Sequence, residues 1–205
     1  MKHIHKYKWE RILVIALLVG IVAGTVAGES RNWQDHLIRL HVVANSDSAA
    51  DQAQKLEVRD AILTETEAIL NGASNAAEAR NLLTEALPRL ECAANQALAG
   101  TGRTASVNLQ RETFPLREYG TFRLPAGEYE ALRVTIGNGE GQNWWCVVYP
   151  SLCLAATADE VTELAVAAGL SEEEAALLTG QQDGYVFRFQ IVELWHRLIN
   201  WLRSL

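Results

Sequence analysis

The chain has 205 residues, 49% of them apolar and 21% charged, with 18 Lys and Arg against 25 Asp and Glu and a net charge of −7. That length allows one medium domain with a sizeable core, and 14 Gly and 4 Pro are too few for a collagen-like or largely disordered chain. Lys2, Lys6, Lys8 and Arg11 outweigh Glu10 at the start, so the rest holds 14 basic and 24 acidic residues, a charge of −10 that suits nucleic acid phosphates poorly.

No charge interrupts residues 12–28, ILVIALLVGIVAGTVAG. A spanning helix needs about 20 apolar residues, and a secretory signal pairs a basic start with a shorter apolar stretch and a small-residue cleavage site. Thr25-Val26-Ala27 before Gly28 offers such a site, so a cleaved signal peptide and a retained membrane anchor are both open. A buried core helix fits the basic flank less well. Positive charge stays in the cytoplasm, so both remaining readings make residues 29–205 one extracytoplasmic domain.

Residues 37–44, LIRLHVVA, read as a buried strand, followed by the turn cluster Asn45-Ser46-Asp47-Ser48. Ser48 with Asp51 resembles a helix cap. The helix it opens runs to about Leu70, with Leu56, Leu63, Leu70, Ile62 and Ile69 expected on one face and Asn71-Gly72 ending it. Asn75 with Glu78 starts a second helix striped by Leu82, Leu83, Leu87, Leu90, Ala94 and Leu98, closing near Gly100 and expected to bend at Pro88. From residue 105 the period becomes two. Val107 and Leu109, then Phe122 and Leu124, then Leu132, Val134 and Ile136, then residues 143–150 (NWWCVVYP) predict an antiparallel meander, with turns at 125–127 and 137–141. Acidic helical material follows at 158–179, with a cap at Ser171 and Glu174, then a strand at 185–192. Residues 193–205 place Leu194, Trp195, Leu198, Trp201, Leu202 and Leu205 on one side of a helix, which suits docking on the core, on a partner or on a membrane surface. The expected fold class is α+β: a single domain with two long helices packed on an antiparallel sheet, after an N-terminal signal or anchor helix.

A tight turn at Tyr149-Pro150 would bring Cys146 and Cys153 to bridging distance, and export favours a disulfide; two free buried thiols are the alternative. Cys92 is expected to be a small core residue. No zinc spacing, phosphate loop, dinucleotide fingerprint or hydrolase elbow occurs, and no metal or cofactor is expected. His41 is expected to be a satisfied sheet histidine. Adjacent Trp144 and Trp145 point to opposite sides of a strand, so one is a candidate interface anchor, although the fold would equally account for both by covering them. The competing enzymatic reading is an extracytoplasmic envelope thiol hydrolase with Cys146 as nucleophile and His41 as base.

The runs RLHVVANSDSAADQAQKLEVRDAIL (39–63) and YGTFRLPAGEYEALRVTIGNGEGQNWWCVVYPSLC (119–153), behind an apolar N-terminal segment, resemble the stage II sporulation protein R family. The resemblance covers residues 39–153 and is weakest over 154–205. It implies a signalling protein, not an enzyme: exported from the forespore into the space between the septal membranes, it triggers a membrane-embedded aspartic protease of the mother cell that processes pro-sigma factor E. It carries over Arg39, His41, Asn45, Ser46, Asp47 and Asp51 from the first run. From the second come Gly127, Glu128, Tyr129, Trp144, Trp145, Cys146, Pro150 and Cys153. Receptor contact is expected among Trp144, Trp145, Arg39, His41, Asn45, Asp47, Glu128 and Tyr129, with membrane contact through residues 12–28 or the C-terminal helix.

Overall fold

The structure, a computed structural model, describes residues 33–180. The segment expected at 12–28, the strand at 185–192 and the helix at 193–205 lie outside them. No helix among the described residues is long and apolar enough to cross a membrane.

After a 3₁₀ turn at Trp33–His36, strand β1 (Ile38–Val43) leads into helices α1 (Ala49–Leu70) and α2 (Ala76–Ala97). Then come β2 (Ala105–Phe114), the short pair β3 (Arg117–Glu118) and β4 (Arg123–Leu124), β5 (Gly127–Ile136) and β6 (Asn143–Tyr149). A 3₁₀ turn at Leu152–Leu154 and helices α3 (Ala158–Ala167) and α4 (Glu172–Thr179) complete the described chain.

The main sheet has the order β2-β5-β1-β6 and is mixed. The expected antiparallel sheet is corrected in one respect: β1 runs parallel to β5, while β1–β6 and β2–β5 are antiparallel. The reason lies in β1 itself. All six of its residues are buried, so it is most stable with a strand on each edge and a layer on each face. It therefore separates β5 from β6, which a meander would have paired. The glycine-rich segment 137–142 crosses the end of β1 instead of turning a hairpin.

The helices start where the capping residues predict. Ser48 Oγ accepts the Asp51 N–H at 3.1 Å, and Asn75 Oδ1 accepts the Glu78 N–H at 2.9 Å. The two later helices carry full capping boxes at Thr157/Glu160 and Ser171/Glu174. In α1 the buried stripe is Asp51, Lys55, Val58, Ile62, Thr66 and Leu70. The expected leucine face is displaced: Leu56 is exposed and Leu63 half-buried, because the sheet claims the turn bearing Val58 and Ile62. The α2 stripe matches expectation at Leu83, Leu90, Ala94 and Leu98, and Pro88 lies inside the helix. Cys92 is exposed, not a core residue.

Leu40, Leu132 and Val134 are fully buried, each worth about 1.5–3 kcal/mol. At one end of the sheet, β2 has no neighbouring strand, and α2 closes part of its edge. Asn95 donates to the Ala105 carbonyl at 2.9 Å and accepts the Ala105 N–H at 3.0 Å. Glu91 accepts the Val107 N–H at 3.1 Å. At the other end, β6 stands beside the Leu152–Leu154 turn.

Candidate functional site

Alternation and register sort the side chains of the central strands onto two faces. Leu40 and Val42 lie level with Leu132, Val134, Cys146 and Trp144; Arg39 and His41 lie level with Ala131, Arg133, Val147 and Trp145. The first set faces the long helices, where Arg59 of α1 meets Trp144 and Arg80 of α2 meets Glu130. The second set faces the β3–β4 pair.

On that second face a polar and aromatic cluster is built around β1. His41 places Nδ1 2.6 Å from Glu112 Oε2 and Nε2 2.9 Å from Asn143 Oδ1, the satisfied sheet histidine that was expected. Burial raises the Glu112 carboxyl, but the His41 hydrogen bond, and behind it Arg133, outweighs this and leaves it below the ordinary range. Arg39 is fully buried, with its guanidinium carbon 3.9 Å over Phe114 and 4.9 Å over Tyr129. Its Nη2 donates to Tyr119 Oη at 2.5 Å, and burial lowers its pKa. Tyr129, also fully buried, donates to the Pro125 carbonyl at 2.8 Å, and burial raises its pKa. Glu128, at the start of β5, is exposed.

The turn after β1 clamps the glycine-rich crossing. Buried Asn45 donates to Asp51 Oδ2 at 2.8 Å and accepts the Asn138 N–H at 3.0 Å. The Gly141 N–H reaches the Ala44 carbonyl at 2.9 Å, and Asp47 Oδ1 accepts the Gln142 N–H at 2.7 Å. Gly137 has φ +55°, and a side chain there would strike Asn45; one at Gly141 would strike the Ser46 backbone. Asp51 does not complete a reciprocal cap. Its carboxylate accepts from Asn45 and from Ser46 Oγ, which hold it below the usual carboxylate range. Burial pulls the Lys55 ammonium down while it donates to Gln52 and to the Gln142 carbonyl.

β6 forms one edge of the main sheet. Cys146 and Cys153 are bridged, with Cα atoms 5.8 Å apart, and Cys153 comes from the 3₁₀ turn instead of a facing strand. The Val147 N–H points outward to Cys153 Sγ at 3.2 Å. Along an antiparallel strand such outward groups recur at every second residue, so those of Trp145 and Asn143 also point away from β1. Trp144 is 36% exposed, with the Arg59 guanidinium 4.4 Å from its ring centroid. Trp145 is half-buried, its ring centroid 5.6 Å from that of His41, with the Arg117 guanidinium 4.0 Å away.

The structure thus brings Arg39, His41, Tyr129 and Trp145 to one face, Asn45 and Asp47 to the end of β1, and leaves Trp144 and Glu128 apart from them. The Cys146–His41 pairing does not form: the thiol is consumed in the bridge, and the two residues point to opposite faces of the sheet. Among the described residues no group of three His, Cys, Asp or Glu side chains could hold a metal. Sequence reasoning missed Glu112, Arg59, Arg117 and Tyr119, whose partners lie far along the chain. Lys55, alone of its type beyond residue 8, carried a signal in its isolation.

The described residues thus define a mixed-sheet α+β domain whose edge strand is stapled at one end by a disulfide and carries an exposed tryptophan at the other. The chain belongs to the stage II sporulation protein R family, whose family model matches residues 34–159. Stage II sporulation protein R of Bacillus subtilis (strain 168) is 38% identical over 148 residues, covering 69% of this chain and 66% of that protein's length. No solved structure matches.

Proposed function

We propose that this chain is an exported sporulation signal, made in the forespore, that crosses into the space between the septal membranes. There it triggers a membrane-embedded aspartic protease of the mother cell to process pro-sigma factor E. Membership of a sporulation family supports the role. The observation that favours a ligand over an enzyme is the placement of Trp144, held against Arg59 on a sheet edge yet 36% exposed. A large apolar ring left in solvent and steadied by a cation suits a binding anchor. Physically, the signal acts by binding the active state of the protease better than the inactive one, so that the population shifts.

The test is reconstitution: the chain, the protease and pro-sigma factor E are co-expressed and processing is followed. Processing should depend on the chain, and Trp144→Ala should reduce it strongly, since loss of a central anchor costs about 2 kcal/mol or more of binding. Processing that proceeds equally without the chain would falsify the proposal.

A further inference from the structure

Three of the four large apolar side chains that stand exposed among the described residues are Leu56, Leu116 and Trp144. Trp144 lies in the first half of β6, and Leu56 and Leu116 lie on segments that flank it. Leu56 is three residues before Arg59, the side chain stacked on Trp144; Leu116 adjoins Arg117, the side chain stacked on Trp145. Between these flanks, Asn143 is exposed, and its outward backbone groups and those of Trp145 make no hydrogen bond among the described residues. The second half of the same edge is closed at Val147 by Cys153. The other end strand, β2, is partly covered by Asn95 and Glu91. An open edge of defined length, stopped by a disulfide and walled by an indole on each face, is a site for an added strand.

We infer that residues 143–145 of β6 accept an extended segment of a partner protein as an additional strand, and that this segment is acidic. This rests on the proposed signalling role for the identity of the partner, but not for the binding mode. Beyond residue 11 the chain carries −10, yet Lys55, Arg59 and Arg117 stand against this edge, at Gln142, Trp144 and Trp145. Lys55 is bound to the Gln142 carbonyl, and Arg59 shares its charge with exposed Asp60. Arg117 is exposed and makes no ion pair among the described residues. Successive side chains of an added strand point to opposite faces. Two consecutive acidic residues opposite Trp144 and Trp145 would therefore meet Arg59 on one face and Arg117 on the other. Backbone pairing supplies affinity, and the two indoles with their arginines select the sequence.

Two measurements on the full chain in detergent micelles test this. In the first, amide exchange is followed with a synthetic octapeptide of sequence Val-Thr-Val-Glu-Glu-Val-Thr-Val, and with its Lys-Lys counterpart. The acidic peptide should slow exchange at Asn143 and Trp145, and the basic one should not. No protection, or equal protection by both, overturns the inference. In the second, the reconstituted processing assay compares Arg117→Glu with Arg117→Lys, after circular dichroism shows both folded. Charge reversal should lower processing at least about tenfold and the lysine variant should retain it. Full processing by Arg117→Glu alongside an active parent chain overturns the inference. A parent chain that triggers no processing overturns the signalling role alone and leaves the peptide result to decide the edge. A dimer in sedimentation that Arg117→Glu dissolves would show a second copy of this chain as the occupant, and would also overturn it.

Discussion

At the scale of single residues, the feature with the widest consequence is Asn45. Its carboxamide joins β1, the start of α1 through Asp51, and the crossing segment through the Asn138 N–H, and it is buried. Replacing it by alanine removes two hydrogen bonds of a buried side chain, each worth about 0.5–1.5 kcal/mol net. Asn45→Ala should therefore lower the urea midpoint by the equivalent of about 1–3 kcal/mol with an unchanged slope. A loss below about 0.5 kcal/mol would show that the crossing segment holds its course without the clamp. Legibility in the sequence was uneven here. Ser48 reads as a cap because its partner is three residues away; Asn45 reads only as a turn residue because Asn138 is 93 residues away. The same limit hid Glu112 from His41, 71 residues apart. Local spacing encodes helix starts, but not which distant carboxylate meets a strand histidine.

At the scale of elements, the sequence pattern located every strand of the main sheet but not its order. Alternation in 132–136 reports two unlike sides, and the apolar run 146–149 reports burial of both; neither carries anything about which strand lies next to it. The clue to the insertion of β1 was its own composition, since a strand buried at all six positions belongs in the middle of a sheet. The two end strands then need protection, and the chain meets that need differently at each. Asn95 is the main guard of β2. Asn95→Ala should destabilise the fold by about 1–2 kcal/mol and, by freeing the Ala105 backbone, promote concentration-dependent association measurable by light scattering. Association unchanged from the parent chain would mean Glu91 suffices. On β6 the staple is covalent. Cys146 and Cys153 are seven apart, and closing so short a loop contributes about 2–3 kcal/mol by the loop-closure entropy of the unfolded chain. Cys153→Ser under reducing conditions should match the reduced parent chain in melting temperature, and both should melt below the oxidised form. Equal melting of oxidised and reduced parent chain would show that the bridge serves only to close the edge at Val147.

At the scale of the whole molecule, acid acts on this fold in two opposing ways, and their order along the pH axis decides the outcome. The acidic surface repels itself, so protonating ordinary carboxylates relieves strain in the compact state. Asp51 and Glu112 act the other way. Both carboxyls sit lower in the folded chain than their ordinary values of 3.8 and 4.5, Asp51 through bonds from Asn45 and Ser46, Glu112 through His41 and Arg133 against the opposing effect of burial. A group depressed on folding contributes stability that is complete above its unfolded pKa and is lost as pH falls through its folded one. The depressed groups take up their protons at lower pH than a carboxylate of ordinary pKa would. Stability should therefore be level or rise slightly from pH 7 to about 5 and then fall steeply below about 4. Glu112→Gln keeps the shape of the side chain but removes one of the three carboxyls depressed among the described residues, the third being Glu78, held down by its bonds from Ser74. The variant should be less stable at pH 7 and lose less on acidification, so that the two melting curves draw together as the pH falls below the ordinary Glu range. Melting temperatures of the two chains at intervals between pH 3 and 7 measure this directly. Parallel curves across the range would mean that the His41–Glu112 contact contributes nothing pH-dependent, and that acid sensitivity resides at the carboxyls that hold the starts of the two long helices, Asp51 and Glu78.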